Sequence, residues 1–215
     1  MSNQRYERKF YTNKVSKEEL ELLIKRSPAM FLDKFYERRV SSIYLDTNGF
    51  ASYFDNISGA ANRVKARVRW YDDLVPTAQN PTLEFKAKTG IVGNKYSHKL
   101  KDFDTTNITK KEFMKLVSNY PYVQNLVPVC VVSYMRKYYE SATKSFRITI
   151  DSNLEYYKFD NHIHWSQKYS HEGIILELKY SKEDDKLASM LSGSLLPRVT
   201  RSSKYVNAIN SIYGS

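Results

Sequence analysis

Cations occupy every second position of Arg63-Val-Lys65-Ala-Arg67-Val-Arg69, with small or apolar residues between them. Extended backbone sends successive side chains to opposite faces. As a strand, this stretch presents Arg63, Lys65, Arg67 and Arg69 together, with Val64, Ala66, Val68 and Trp70 behind them. Neighbouring like charges repel, so a face of one sign is either solvated outer surface or a place for an anion. The alternation recurs with acids interspersed: Arg5, Glu7 and Lys9; Glu84, Lys86 and Lys88; Arg147, Thr149 and Asp151; Glu177 and Lys179; and Arg136 towards the end of a long apolar run. Burying so many uncompensated cations would cost several kcal/mol per ion, so their face stays wet or holds an anion. Phosphate chains suit it, because arginine offers two parallel donors and lysine a compact charge. Glu7, Glu84 and Glu177 then have two readings. Either they hold Mg²⁺ or Mn²⁺ while substrate phosphates complete the coordination, or each pairs with an adjacent lysine.

The elements that must carry these side chains are mostly strands. Strand patterns fall on Arg5–Tyr11, Val40–Asp46, Arg63–Tyr71, Thr82–Lys88, Lys95–Leu100, Val127–Glu140, Ser145–Asp151 and Gly173–Tyr180. Ser16 with Glu19 and Thr109 with Glu112 are capping-box pairs that predict helices over 17–26 and 109–118. Helices are also expected over Phe50–Ile57, Asp184–Leu191 and Ser203–Tyr213, with a polar linker from Asp72 to Pro81. The expected fold class is α+β, in a single domain over residues 1–215. Helices cover the apolar faces from outside; the charged faces look at water or, if the strands close into a barrel, line a hydrophilic lumen.

With 34 Lys and Arg against 23 Asp and Glu, the 215-residue chain has a net charge of +11. That charge points to a polyanionic partner: nucleic acid, an anionic membrane or a phosphate-rich molecule. The 18 tyrosines and 10 phenylalanines favour sheet over helical bundle. The single cysteine, Cys130, excludes an internal disulfide and lies in an apolar run where a thiol is inert. Neither an apolar signal core nor a membrane-spanning run is evident, so a cytoplasmic protein is expected. No glycine-rich loop of the G-x-x-x-x-G-K type is present, which leaves P-loop chemistry unsupported. His162, His164 and His171 lack a cysteine partner and read as surface or satisfied core residues rather than a zinc site. The tyrosines fall mostly on the face opposite the cations, which argues against single-stranded nucleic acid as the ligand.

Glu7-x-Lys9, Arg67-x-Arg69, Glu84-x-Lys86, Arg136, Arg147, Glu177-x-Lys179 and Ser203-Lys-Tyr205, in that order, resemble the triphosphate tunnel metalloenzymes (CYTH-like). Within them, Ile43-Tyr-Leu-Asp-Thr47 and the Ser-Lys-Tyr element are similar to the polyphosphate polymerase domain of the vacuolar transporter chaperone (VTC) type. The resemblance implies an eight-stranded antiparallel tunnel that moves the γ-phosphoryl group of ATP onto inorganic polyphosphate and releases ADP. It assigns phosphate contacts to Lys9, Arg67, Arg69, Lys86, Arg136, Arg147 and Lys204, and Mn²⁺ or Mg²⁺ to Glu177, with Glu7 as second candidate. Lys65, Lys88 and Lys179, like Arg63, are extra cations that either lead polymer along or form a solvated rim. Triphosphate hydrolysis in the same tunnel and non-catalytic polyphosphate binding are the alternatives. A separate membrane protein is the expected partner if polymer is to be translocated.

Overall fold

The computed structural model describes residues 5–89, 92–195 and 202–214. The fold is α+β, a mostly antiparallel sheet with five α-helices among the described residues. The strands are β1 (Arg5–Thr12), β2 (Phe31–Asp46), β3 (Asn62–Tyr71), β4 (Thr77–Ala78), β5 (Thr82–Thr89), β6 (Val92–Lys99), β7 (Phe103–Asp104), β8 (Val127–Ser141), β9 (Arg147–Phe159), β10 (Ile163–His171) and β11 (Ile174–Ser181). Hydrogen bonds connect eight of them in the order β1-β11-β9-β8-β2-β3-β5-β6, and β10 joins beside β9 to make a nine-stranded sheet; β4 pairs with β7. The helices are α1 (Lys17–Lys25), α2 (Ala51–Ser58), α3 (Lys110–Val117), α4 (Asp185–Leu195) and α5 (Lys204–Tyr213). Both capping boxes form: Ser16 and Glu19 cap each other's backbone at α1, as Thr109 and Glu112 do at α3.

The residues gather into two compact units whose boundaries fall inside β2, β8 and β9. The first holds residues up to Arg38 with Tyr134–Leu154 and Glu172–Ser202. In it Phe10, Ile148, Ile150, Leu176 and Leu178, from the apolar faces of β1, β9 and β11, pack with Leu20 and Ile24 of α1 and with Ala188 and Leu191 of α4. Arg8 shares that face without disturbing it. Its guanidinium donates to Tyr180 Oη (2.7 Å), Ser189 Oγ (2.7 Å) and Asp185 Oδ1 (2.9 Å), so the charge ends in α4.

The second unit holds Arg39–Ser133, Glu155–His171 and Ser203–Ser215. Ile43, Leu45, Ala66, Val68, Trp70, Leu83 and Phe85 form its core with Phe113 and Val117 of α3. Meanwhile α5 meets the opposite face of β2. The Tyr205 ring stacks on Tyr44 at 5.1 Å, and Tyr44 is the cross-strand neighbour of Arg67.

Candidate functional site

In the first unit, antiparallel register sets Glu7 opposite Lys179 and Lys9 opposite Glu177. Lys9 Nζ stands 3.1 Å from Glu7 Oε1 and 3.4 Å from Glu177 Oε1, while Lys179 Nζ is 3.3 Å from Glu177 Oε2 and 3.9 Å from Glu7 Oε2. Two carboxylates and two ammonium groups thus alternate on one face. Buried Arg136 lies beside them, donating to Asp151 through Nε (2.5 Å) and Nη2 (2.6 Å), with Glu177 Oε2 at 3.7 Å. Burial alone would lower the Lys9 ammonium; Glu177, and then Glu7, outweigh it and hold the pKa above the ordinary lysine value. Arg136 is treated alike, burial being overcome by Asp151. Arg147 neighbours Lys179 in register, but its guanidinium is taken by Glu140 Oε1 at 3.0 Å, and Lys34 holds the other oxygen of that carboxylate.

In the second unit the balance is different. Register aligns Arg67 with Glu84, Lys65 with Lys86, and Lys86 with Lys95. Glu84, buried, accepts from Arg67 Nε (2.8 Å) and from Lys95 Nζ (2.8 Å), and Arg69 Nη1 is 3.6 Å away. Burial would raise its carboxyl, yet Arg67 and then Lys95 keep it below the usual carboxylate range. Arg67 Nη1 also donates to Tyr44 Oη at 3.1 Å. Lys65 Nζ donates to Ser203 Oγ at 3.0 Å, placing the start of α5, with Lys204 as its first residue, beside the cationic row. Arg69 Nε and Ser42 Oγ, cross-strand neighbours, are buried polar atoms that no protein hydrogen bond satisfies. Orphaned donors on a cationic face are what an anion's oxygens or bound water would satisfy. Lys88 opposes Arg63 in register; its side chain lies outside the described residues.

The sequence matches the VTC domain family over residues 4–213. This chain belongs to the VTC domain family. No curated protein sequence matches it. Its fold is shared by a putative adenylate cyclase from Vibrio parahaemolyticus, with a TM-score of 0.58 and 11% identity over 96% of this chain and 99% of that one. A putative adenylyl cyclase from Hippeastrum, described as having a dominant triphosphatase activity, aligns with a TM-score of 0.52 and 14% identity over 94% and 93% of the two chains. At such identities the likeness is one of fold.

Of the VTC residues expected at the site, Glu7, Lys9, Arg136, Glu177 and Lys179 come together in one unit; Lys65, Arg67, Arg69 and Lys86 do so in the other. Three contributors escape the sequence reading. Lys95 is one, although its alternation with Ser97 and Lys99 announces a strand face. Asp151 as partner of Arg136 and the orphaned Ser42 are the others, and both depend on side-chain contacts between strands.

Glu7 and Glu177 suit Mg²⁺ or Mn²⁺, which take one or two protein carboxylates and fill the remaining positions with water and phosphate. The lysines between them are long enough to turn towards phosphate oxygens when a cation takes the carboxylates.

Proposed function

We propose that this VTC domain transfers the γ-phosphoryl group of a nucleoside triphosphate, ATP foremost, to a growing inorganic polyphosphate chain in a reaction requiring Mn²⁺ or Mg²⁺. The observation that carries the reading is the face of the second unit, where Arg67, Arg69 and Lys95 surround the carboxylate of Glu84, Lys65 and Lys86 extend the same cationic face, and Arg69 keeps an unsatisfied buried donor. A terminal phosphate oxygen of the polymer attacks the γ-phosphorus in line, the bond to the β–γ bridging oxygen breaks, and the nucleoside diphosphate leaves. Arg67 and Arg69 stabilise charge on the equatorial oxygens, with Lys65, Lys86 and Lys204 holding the flanking phosphates. No side chain has to act as nucleophile. In the first unit Glu177 and Glu7 are the residues that would hold the metal, whose chemistry when bound is to offset phosphate charge. Lys9, Lys179 and Arg136 keep their charges there and add phosphate contacts. No helix among the described residues is long and apolar enough to cross a membrane, and a separate membrane protein is the partner this reading assigns to any translocation of product.

Hydrolysis is the second reading, supported by the fold shared with the Hippeastrum protein and its triphosphatase activity. Water would replace the polymer as acceptor on the same cationic face. Incubation with ATP and Mn²⁺, followed by electrophoresis of the products, separates the two. Long polymer is the expected result. Orthophosphate alone makes the domain a triphosphatase, and binding without turnover makes it a polyphosphate-binding module.

A further inference from the structure

The turn that joins β9 to β10, within the second unit, collects three metal-ligating side chains that phosphoryl transfer leaves unused. Asp160 Oδ1 and His164 Nε2 are 2.8 Å apart, and the rings of His162 and His164 lie with centroids 4.5 Å apart and planes inclined by 31°. One ligand atom from each of the three side chains falls within 4.8 Å of the others. Two bonds of about 2.1 Å bridge at most roughly 4.2 Å, so small side-chain rotations bring all three onto one ion. The backbone beneath them is fixed. Asn161 N–H donates to Asp160, Lys110 N–H donates to Asn161 O at 2.8 Å, and Thr109 bridges to His162, which ties the turn to the start of α3. Lys158 Nζ, 3.1 Å from Asp160 Oδ2, holds that oxygen, while Oδ1 accepts from Asn161 N–H and faces His164 Nε2. His162 is exposed, so an ion can enter from solvent. The sequence patterns read His162, His164 and His171 as surface or satisfied core residues; the structure instead brings His162 and His164 together with Asp160, while His171 packs against Tyr156.

We infer that Asp160, His162 and His164 form a surface site for a divalent transition-metal ion of the zinc class. Two imidazoles and one carboxylate favour Zn²⁺, Co²⁺ or Ni²⁺ over the oxygen-seeking Mg²⁺ and Mn²⁺ of phosphate chemistry. Three protein ligands leave a position for water or an outside donor. Binding would lock the β9–β10 turn against α3 and stabilise the folded chain by mass action.

The test is calorimetric titration of the full chain with ZnCl₂, together with the visible absorption of the Co²⁺ form. The expected result is one equivalent of Zn²⁺, a Co²⁺ spectrum with imidazole ligation, and a Tm that rises with Zn²⁺ and falls back on chelation. His162→Ala and Asp160→Asn should each weaken binding at least about tenfold. Both changes lie at the protein surface, and a metal-free melting curve matching the wild type verifies their folding. Glu177→Gln should keep the full equivalent. Absence of stoichiometric Zn²⁺ uptake overturns the inference, as does uptake that survives His162→Ala or disappears in Glu177→Gln.

Discussion

Glu84 on β5 decides how the cations of β3 and β6 that surround it behave before substrate arrives. Its buried carboxylate is shared by Arg67 and Lys95 and approached by Arg69, so these charges are held in place without a ligand. A triphosphate competes for the same donors, and Arg67 exchanges a carboxylate for phosphate oxygens. Arg69, with Nε unsatisfied, has less to give up. Arg69→Ala should therefore lower kcat by about 10²–10³-fold, the cost of removing one positioned donor from a charged transition state. Its Tm should stay within about 2 °C of the wild type, because Glu84 keeps Arg67 and Lys95. Steady-state kinetics and a melting curve check this, and a matching collapse of stability would make Arg69 structural. Glu84 also gives the protein an acid limit. Its folded pKa lies below the unfolded value of about 4.3, so its stabilisation is present above that pH and is lost as pH falls through the folded pKa. Tm should drop steadily as pH is lowered below about 4.5, and Glu84→Gln should flatten that drop; an unchanged slope in the variant would remove Glu84 from the account.

Helix α5 is placed by a carboxylate that no strand pattern singles out. Asp46, fully buried at the end of β2, accepts N–H bonds from Ser52 (2.9 Å) and Tyr53 (3.0 Å) at the start of α2 and the hydroxyl of Tyr205 from α5. Phe50 at the cap of α2 offers no side-chain acceptor, and Asp46 supplies it from a distance. The Asp46–Tyr205 bond fixes the turn of helix that carries Ser203, which receives Lys65, and Lys204. Tyr205→Phe should cost about 1.5–3 kcal/mol, the worth of a hydrogen bond to a charged group, and lower Tm on the order of 5 °C. The KM for triphosphate should rise with it. A lowered Tm with unchanged KM would mean that α5 is held only for stability. Period and caps made α1, α3 and the polar faces legible from the sequence, since Ser16, Thr109 and the Lys9, Arg67 and Glu177 positions act through their own strand or turn. The N-terminal half of β2 and all of β10 were not, because Phe31–Arg39 mixes exposed apolar and charged side chains and Ile163–His171 is buried only at its start. The same holds for β4, two residues inside a linker that exist as a strand only through pairing with β7. Asp46 escaped for a related reason: a lone aspartate after an apolar run reads as a turn residue, and its role comes from a tyrosine 159 positions away.

At the scale of the whole molecule, the charges are unevenly invested. The first unit pairs the cations of its face with Glu7, Glu177 and Asp151, whereas on the face of the second unit one glutamate, Glu84, holds Arg67, Arg69 and Lys95 while Lys65 and Lys86 add further positive charge. With a net charge of +11, the protein attracts anions from a distance, on the proposed function a phosphate chain, and solvent-exposed cations such as Lys86 and Lys95 are the ones that added salt screens. Largely buried groups such as the part-buried Arg69 and the buried Arg136 are screened far less. Raising NaCl from about 0.05 M to about 0.5 M shortens the Debye length from over 10 Å to under 5 Å. The apparent affinity for long polyphosphate should then fall severalfold, while kcat at saturating ATP changes little, since the charge stabilisation during transfer comes from the buried donors. Lys86→Ala combined with Lys95→Ala should reproduce the high-salt affinity at low salt and blunt the remaining salt dependence. Filter binding of labelled polyphosphate across a salt series checks both statements. A kcat that falls in step with affinity would show instead that the exposed lysines belong to the chemical step, and that the face works as one undivided cationic surface.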